Sequence, residues 1–158
     1  MKPNLDLADA ARSAVTDILN RLLSDEYVLL TKTRNYHWNV TGPQFNDLHK
    51  FFEAQYDELN DLVDEVAERA RQLGGRAFGT LAEFTKSSTL VEQPGVSPQA
   101  AEMIRTLLAD HEAIIRALRA AIGPVAEKHG DVGTSDFLTG LLEKHEKMAW
   151  MLRAYVAV

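Results

Sequence analysis

A chain of 158 residues, 46% apolar and 25% charged, fits one globular domain and can bury a core of useful size. Its 23 Asp and Glu against 17 Lys and Arg leave a net charge of −6, which argues against a broad nucleic-acid-binding face and suits a protein that draws in cations. There is no cysteine, which excludes disulfides, thiolate catalysis and Cys-ligated zinc or iron–sulfur centres.

Four long helical patterns follow one another. The first opens near Asp6, a natural N-cap, and carries Leu7, Ala11, Ala14, Val15, Ile18, Leu19, Leu22 and Leu23 at helical spacing to about Asn35. Thr41-Gly42-Pro43 breaks it. The second runs from about Gln44 to Leu73 and stops at Gly74-Gly75. From there to Ser97 the connection is too long for a simple turn, and Leu81-Ala82-Glu83-Phe84 within it can form a short extra helix. The third takes Ser97 as N-cap with Pro98 in its first turn and reaches about Lys128, with a kink or early end expected at Gly123-Pro124. The fourth follows the turn from Gly130 to Gly133, with Thr134 as N-cap, and ends near Tyr155.

No strand pattern or repeat stands out. Met1 to Ala11 has no apolar core of the signal-peptide kind, and no apolar run is long enough to span a bilayer. A soluble, cytoplasmic protein with no membrane partner is expected. The predicted fold is a single all-α domain over residues 1–158. It is a four-helix bundle of the ferritin-like kind, with a long crossover between the second and third long helices that carries the short extra helix.

The second helix bears two carboxylate-containing pairs at four-residue spacing, His49 with Glu53 and Asp64 with Glu68. His37 lies twelve residues before His49. Residues four apart stack on one helical face, so each pair can address one metal ion. The two pairs cannot share a metal within one chain, because they lie roughly 22 Å apart along a helix axis. Two metals in a shared site sit only about 3.5–4 Å apart. One site made from both pairs therefore needs a second, antiparallel copy of the chain. Taking His49 as zero on the helical wheel, Glu53, Asp64 and Glu68 fall at roughly 40°, 60° and 100°. The apolar set Leu48, Phe52, Leu59, Leu62, Val63, Val66, Ala70 and Leu73 occupies roughly −140° to −40° by the same count. The candidate ligands thus border the core stripe, where a site between two bundles would place them.

Taken singly, an acidic residue on a helix is more often solvated than a ligand. Two histidines joined to two such pairs on one flank make that reading less apt. The chain has no Glu-x-x-His, the motif that the usual soluble di-iron bundles carry twice. His111 is in phase with Ile104, Leu107, Leu108, Ile115 and Leu118 and reads as a hydrogen-bonded core histidine. His129 and His145 read as solvated. Trp38, by itself, is an aromatic packed at a helix end. Asp131 and Asp136, by themselves, are turn and cap residues.

The run Asn35-Tyr36-His37-Trp38-Asn39-Val40-Thr41-Gly42, then Phe45, Leu48-His49, Asp64-Glu65-Val66-Ala67-Glu68-Arg69 and Leu73-Gly74-Gly75, strongly resembles the Dps family of miniferritins. The resemblance covers nearly the whole chain in helix order and length. It implies a hollow homododecamer that oxidises iron(II), preferentially with hydrogen peroxide, stores the ferric product and so protects against oxidative damage. It also implies an oxidation site between two subunits. His37, His49 and Glu53 would come from one subunit, and Asp64 and Glu68 from its two-fold mate. Glu53 departs from a common form of the pattern, in which Asp stands at this position; its carboxylate must fold back to reach a metal. Such oxygen and imidazole donors suit iron(II), with zinc or manganese as substitutes; the resemblance selects iron. It further implies that Trp38 lies close to the iron and absorbs stray oxidising equivalents, and that Asp131 and Asp136 ring a cation-drawing pore.

The competing reading is a non-enzymatic, DNA-compacting stress protein. Relatives that bind DNA often do so through lysine-rich tails. Here Met1–Arg12 sets Lys2 and Arg12 against Asp6 and Asp9, and the chain ends Tyr155-Val156-Ala157-Val158 without a basic extension. Binding driven by counterion release needs clustered cations, so weak or absent DNA binding is expected. A helical scaffold without metal chemistry would leave the His and carboxylate spacing unexplained.

Overall fold

A computed structural model describes residues 3–156, and these form five helices. They are α1 (Asp9–Asn39), α2 (Phe45–Gln72), the short α3 (Leu81–Ser87), α4 (Ala100–Glu127) and α5 (Val132–Val156). None of the described residues forms a strand. Met1, Lys2, Ala157 and Val158, part of the tail-charge argument above, lie outside the described residues. No helix among the described residues is long and apolar enough to cross a membrane.

The long helices pack as two hairpins, α1 on α2 and α4 on α5. Their contacts give the directions. Arg12, early in α1, donates to the Leu73 carbonyl at the end of α2, so these two run antiparallel. Lys32, late in α1, pairs with Asp110, early in α4. Arg69, late in α2, meets Thr134 at the start of α5. Hence α2 and α4 run parallel, and the crossover must travel the length of the bundle.

Buried polar side chains of α1 hold that crossover in place. Asn20 donates to the Arg76 carbonyl and accepts from the Phe78 N–H, each at 2.9 Å. Asp25 accepts from the Thr89 N–H at 2.6 Å and the Ser88 hydroxyl at 2.7 Å. Lys32 donates to the Val91 carbonyl at 2.8 Å. Three side chains that look misplaced in a helix interior thus satisfy backbone groups of a segment with little structure of its own. Within it, Thr80 and Glu83 make a reciprocal capping box that starts α3. Glu83 is also held near pKa 2, chiefly by its hydrogen bond from Arg76 and then by the Gly79 N–H.

The core is the apolar stripe of α2 facing those of the other long helices. Leu48, Phe52, Leu59, Leu62, Val66, Ala70 and Leu73 are buried as the wheel predicts, and Val63 is partly buried beside them. They meet Leu19, Leu23 and Leu29 of α1, Leu107, Ile114 and Leu118 of α4, and Leu138 and Leu141 of α5. Truncating a residue such as Phe52 to Ala would cost about 3–5 kcal/mol.

Several helix ends differ from expectation. Asp6 adopts a left-handed φ of 54° in the preceding turn, and α1 opens at Asp9 with Ala8 as an N-cap that makes no side-chain bond. The far end of α1 continues a turn past Asn35 to Asn39, where the Val40 N–H still reaches the Tyr36 carbonyl. That extra turn keeps His37 on the helix. Ser97 does not cap α4, which begins at Ala100 behind Gln99. Pro124 neither ends nor interrupts α4; so close to the terminus it forfeits one intrahelical bond, and the helix reaches Glu127. For α5 the capping side chain is Asp131, not Thr134: its carboxylate accepts from the Thr134 N–H at 2.9 Å. At the end of α2, Gly74 at φ 82° permits a Schellman turn, with Gly75 N–H to Ala70 O at 3.1 Å and Gly74 N–H to Arg71 O at 2.9 Å. A Cβ on Gly75 would lie 2.3 Å from the Thr16 side chain, so glycine here also permits close approach of α1.

Candidate metal centre

The last turn of α1 and the first turns of α2 bring His37 and His49 together. Their rings stack with centroids 3.7 Å apart and 19° between planes. Each ring is also tied to the other's backbone: His37 Nδ1 lies 2.7 Å from the His49 carbonyl, and His49 Nδ1 lies 2.9 Å from the His37 carbonyl. A carbonyl oxygen can only accept, so both Nδ1 atoms carry the proton. Both Nε2 atoms are therefore unprotonated in the neutral rings, with lone pairs suited to a cation. This arrangement fixes the tautomer and ring plane of a metal-ligating histidine. Phe45 stacks on the outer side of His49 at 5.2 Å. His37 is buried and His49 half-buried, so His37 is more deeply placed than a residue bordering the core would be.

Glu53, Asp64 and Glu68 are all exposed on α2. Because α2 is continuous from Phe45 to Gln72, the roughly 22 Å between the two pairs is maintained. Glu53 shares the His49 end; Asp64 and Glu68 lie toward the other. Among the described residues of one chain, no group of three or more such side chains is placed to hold a metal ion.

Trp38 is 70% exposed and is not packed against its own bundle. Asp131 is buried, and both its oxygens are engaged, Oδ1 by the Thr134 N–H and Arg69, and Oδ2 by the Thr134 hydroxyl at 2.5 Å. Asp136 is exposed. His129 is half-buried.

His145 corrects the expectation of a solvated side chain. It is fully buried, with Nε2 2.7 Å from Glu26 Oε1 and Nδ1 2.9 Å from His111 Nδ1. His111 is a hydrogen-bonded core histidine as expected, and its partner is this second histidine. With His145 Nε2–H donating to the Glu26 carboxylate, His145 Nδ1 accepts from His111 Nδ1–H. That leaves Glu26 Oε2 and His111 Nε2 buried without partners. Sequence reasoning also passed over Tyr56, whose ring meets that of His37 edge-on, and Arg34, whose guanidinium lies over the Tyr56 ring. Only the register of α1 on α2 reveals them.

Comparison with known proteins agrees with this architecture. A family model described as a ferritin-like domain matches residues 16–158. The chain is 45% identical over 153 residues to an uncharacterised low temperature-induced protein of Nostoc, covering 97% of this chain and 86% of that one. It is 37% identical over 142 residues to DNA protection during starvation protein 2 of Bacillus anthracis, covering 90% and 96% of the two chains. The crystal structure of a Dps protein from Vibrio cholerae, described as a member of a broad superfamily of ferritin-like diiron-carboxylate proteins, superposes with a TM-score of 0.91 at 30% identity, covering 99% and 98%. Its bundle, its crossover helix and these relatives together establish that the chain belongs to the Dps family of ferritin-like proteins.

Proposed function

We propose that the protein oxidises iron(II) at a site shared between two subunits of a homododecamer, with hydrogen peroxide as preferred oxidant, and stores the ferric product. The reading rests above all on the reciprocal His37–His49 pair, whose hydrogen bonds orient two imidazole lone pairs as metal ligands. The diiron-carboxylate description of the Vibrio relative favours iron over zinc or manganese, which the same donors would also accept. Iron here is substrate and cargo. Two iron(II) ions give one electron each to one peroxide, which takes up two protons and leaves as two waters, so no hydroxyl radical is released.

In this reading His37, His49 and Glu53 of one subunit face Asp64 and Glu68 of its two-fold mate. Neutral imidazoles keep the iron(II) bound, and the carboxylates favour the iron(III) that forms. Antiparallel α2 helices that bring 49 and 53 beside 64 and 68 cross near Glu58, which is half-buried between exposed Asp57 and buried Leu59. Trp38, exposed beside His37, would take up stray oxidising equivalents. Asp136 is the better placed of the two pore candidates, because the Asp131 carboxylate is engaged in capping α5. The cytoplasm is the proposed location.

Stopped-flow mixing of peroxide with the iron(II)-loaded protein tests the reading. Wild-type protein should form ferric product rapidly, and a His37→Ala/His49→Ala variant should be slower by about 100-fold, the upper end of what even outer-shell partners cost. Equal rates for the two proteins would overturn it. DNA compaction is the weaker alternative for a chain with a net charge of −6. Gel-shift assays at neutral pH and physiological salt should show no tight complex, and a tight, salt-sensitive one would restore that alternative.

A further inference from the structure

We infer that Phe45 is a positioning residue for the metal centre: its ring closes the outer side of the His49 imidazole and holds it in the plane that Nε2 needs. The inference rests on the proposed site and deepens it. Phe45 is the first residue of α2 and His49 lies four further on, so the two share one helical face. Helical side chains lean toward the N-terminus, which lowers the His49 ring onto the turn that Phe45 begins. The bend before α2 sets the phenylalanine in place. Gly42 takes a left-handed φ of 107°, and its carbonyl accepts from the Phe45 N–H at 3.0 Å.

Phe45 does little for the fold itself. It is 46% exposed and is not part of the apolar core. Its ring lies instead against His49, with centroids 5.2 Å apart and 28° between planes. The imidazole has a use for that contact. Its Nδ1–H bond to the His37 carbonyl fixes one ring atom, while the ring plane can still tilt about that atom. A tilt would carry Nε2 off its line to a metal. The His37 ring, at 3.7 Å, blocks the tilt on one face, and Phe45 blocks it on the outer side. His37 is buried and His49 only half-buried, so the extra wall stands beside the ring that the bundle restrains less. Freedom removed in this way beforehand is not lost again when the metal binds.

Cobalt(II) binding, read from its visible d–d absorption, tests this without iron turnover. Light scattering and thermal unfolding first establish assembly and stability for each variant. Phe45→Leu keeps apolar bulk without a flat face. It should assemble and melt like wild type, yet bind cobalt(II) about fivefold more weakly, the scale of one aromatic pair, with an altered band shape. Phe45→Tyr keeps the flat face and should restore both affinity and spectrum. Wild-type affinity and spectrum in Phe45→Leu would overturn the inference, as would weakened binding that Phe45→Tyr does not restore. Failure of Phe45→Leu to assemble would also overturn it, because Phe45 would then be a packing residue between subunits. His37→Ala/His49→Ala separates the two levels. Unchanged cobalt(II) binding in that variant removes the proposed site and this inference with it. Lost binding there, with Phe45→Leu indistinguishable from wild type, removes the inference alone.

Discussion

Subunits carrying His37→Ala and His49→Ala, co-assembled with subunits carrying Asp64→Ala, are expected to regain iron oxidation that neither parent assembly shows. Each site in the proposed arrangement takes its histidines from one chain and Asp64 from the other. In a mixed two-fold pair, one site therefore receives every ligand and the other lacks both kinds. With equal amounts and random pairing, half the pairs are mixed, so the rate should recover to about a quarter of wild type. A single chain cannot produce this result. Its two ligand pairs stand roughly 22 Å apart on one continuous helix, too far for a shared site. Alanine is preferable to glycine in the histidine variant, because glycine inside a helix costs about 1 kcal/mol more. Asp64 is exposed and should be replaced at little cost, whereas His37 is buried and its loss should be felt more. Mass spectrometry can establish that mixed shells formed. Mixed shells as inactive as the parents would refute sharing between subunits.

The parts of this arrangement that were legible in sequence are those with a local period. The α2 stripe from Leu48 to Leu73 repeats with the helix, and seven of its eight predicted members are buried. The four-residue spacing of His49/Glu53 and Asp64/Glu68 can be read in the same way and marks them as candidate ligands. Helix ends were less legible. Asp6, Ser97 and Thr134 have capping chemistry, but the chain turns elsewhere, and Asp131 supplies the cap for α5. Contacts between distant segments left no local signal. His145 sits among Glu143, Lys144, Glu146 and Lys147, which suggests solvent, yet it bonds Glu26, a residue 119 positions away. Nor does spacing show that the His37 and His49 rings each bond the other's carbonyl, since that depends on the register between α1 and α2.

That buried histidine pair makes acid a selective stress on the fold. His111 is fully buried, shares one hydrogen bond with His145, and leaves Nε2 without a partner. Burial first, and then the neighbouring His145, hold its pKa well below the ordinary 6.5. In the unfolded chain the same ring takes a proton near 6.5, the ordinary value for histidine. Between that value and the lower folded one, the unfolded state binds more protons. The stability from this group is therefore complete above about pH 6.5 and is lost as pH falls toward the folded pKa. The slope approaches about 1.4 kcal/mol per pH unit for each subunit. The facing groups are Glu26 of α1 and His145 of α5, and α2 buries no titratable side chain, only the polar Gln55. Asp110, on α4 beside His111, acts with opposite sign. Burial raises its carboxyl even against the Lys32 ammonium, so its contribution grows as pH falls through its folded value. His111→Gln can keep a donor for His145 and cannot titrate. Urea unfolding of both proteins at pH 7.5 and 5.5, at one fixed protein concentration, should show wild type losing about 1.4 kcal/mol more per subunit across that interval. Parallel losses in the two proteins would mean that His111 takes up its proton as readily folded as unfolded, and that the acid response arises elsewhere in the chain.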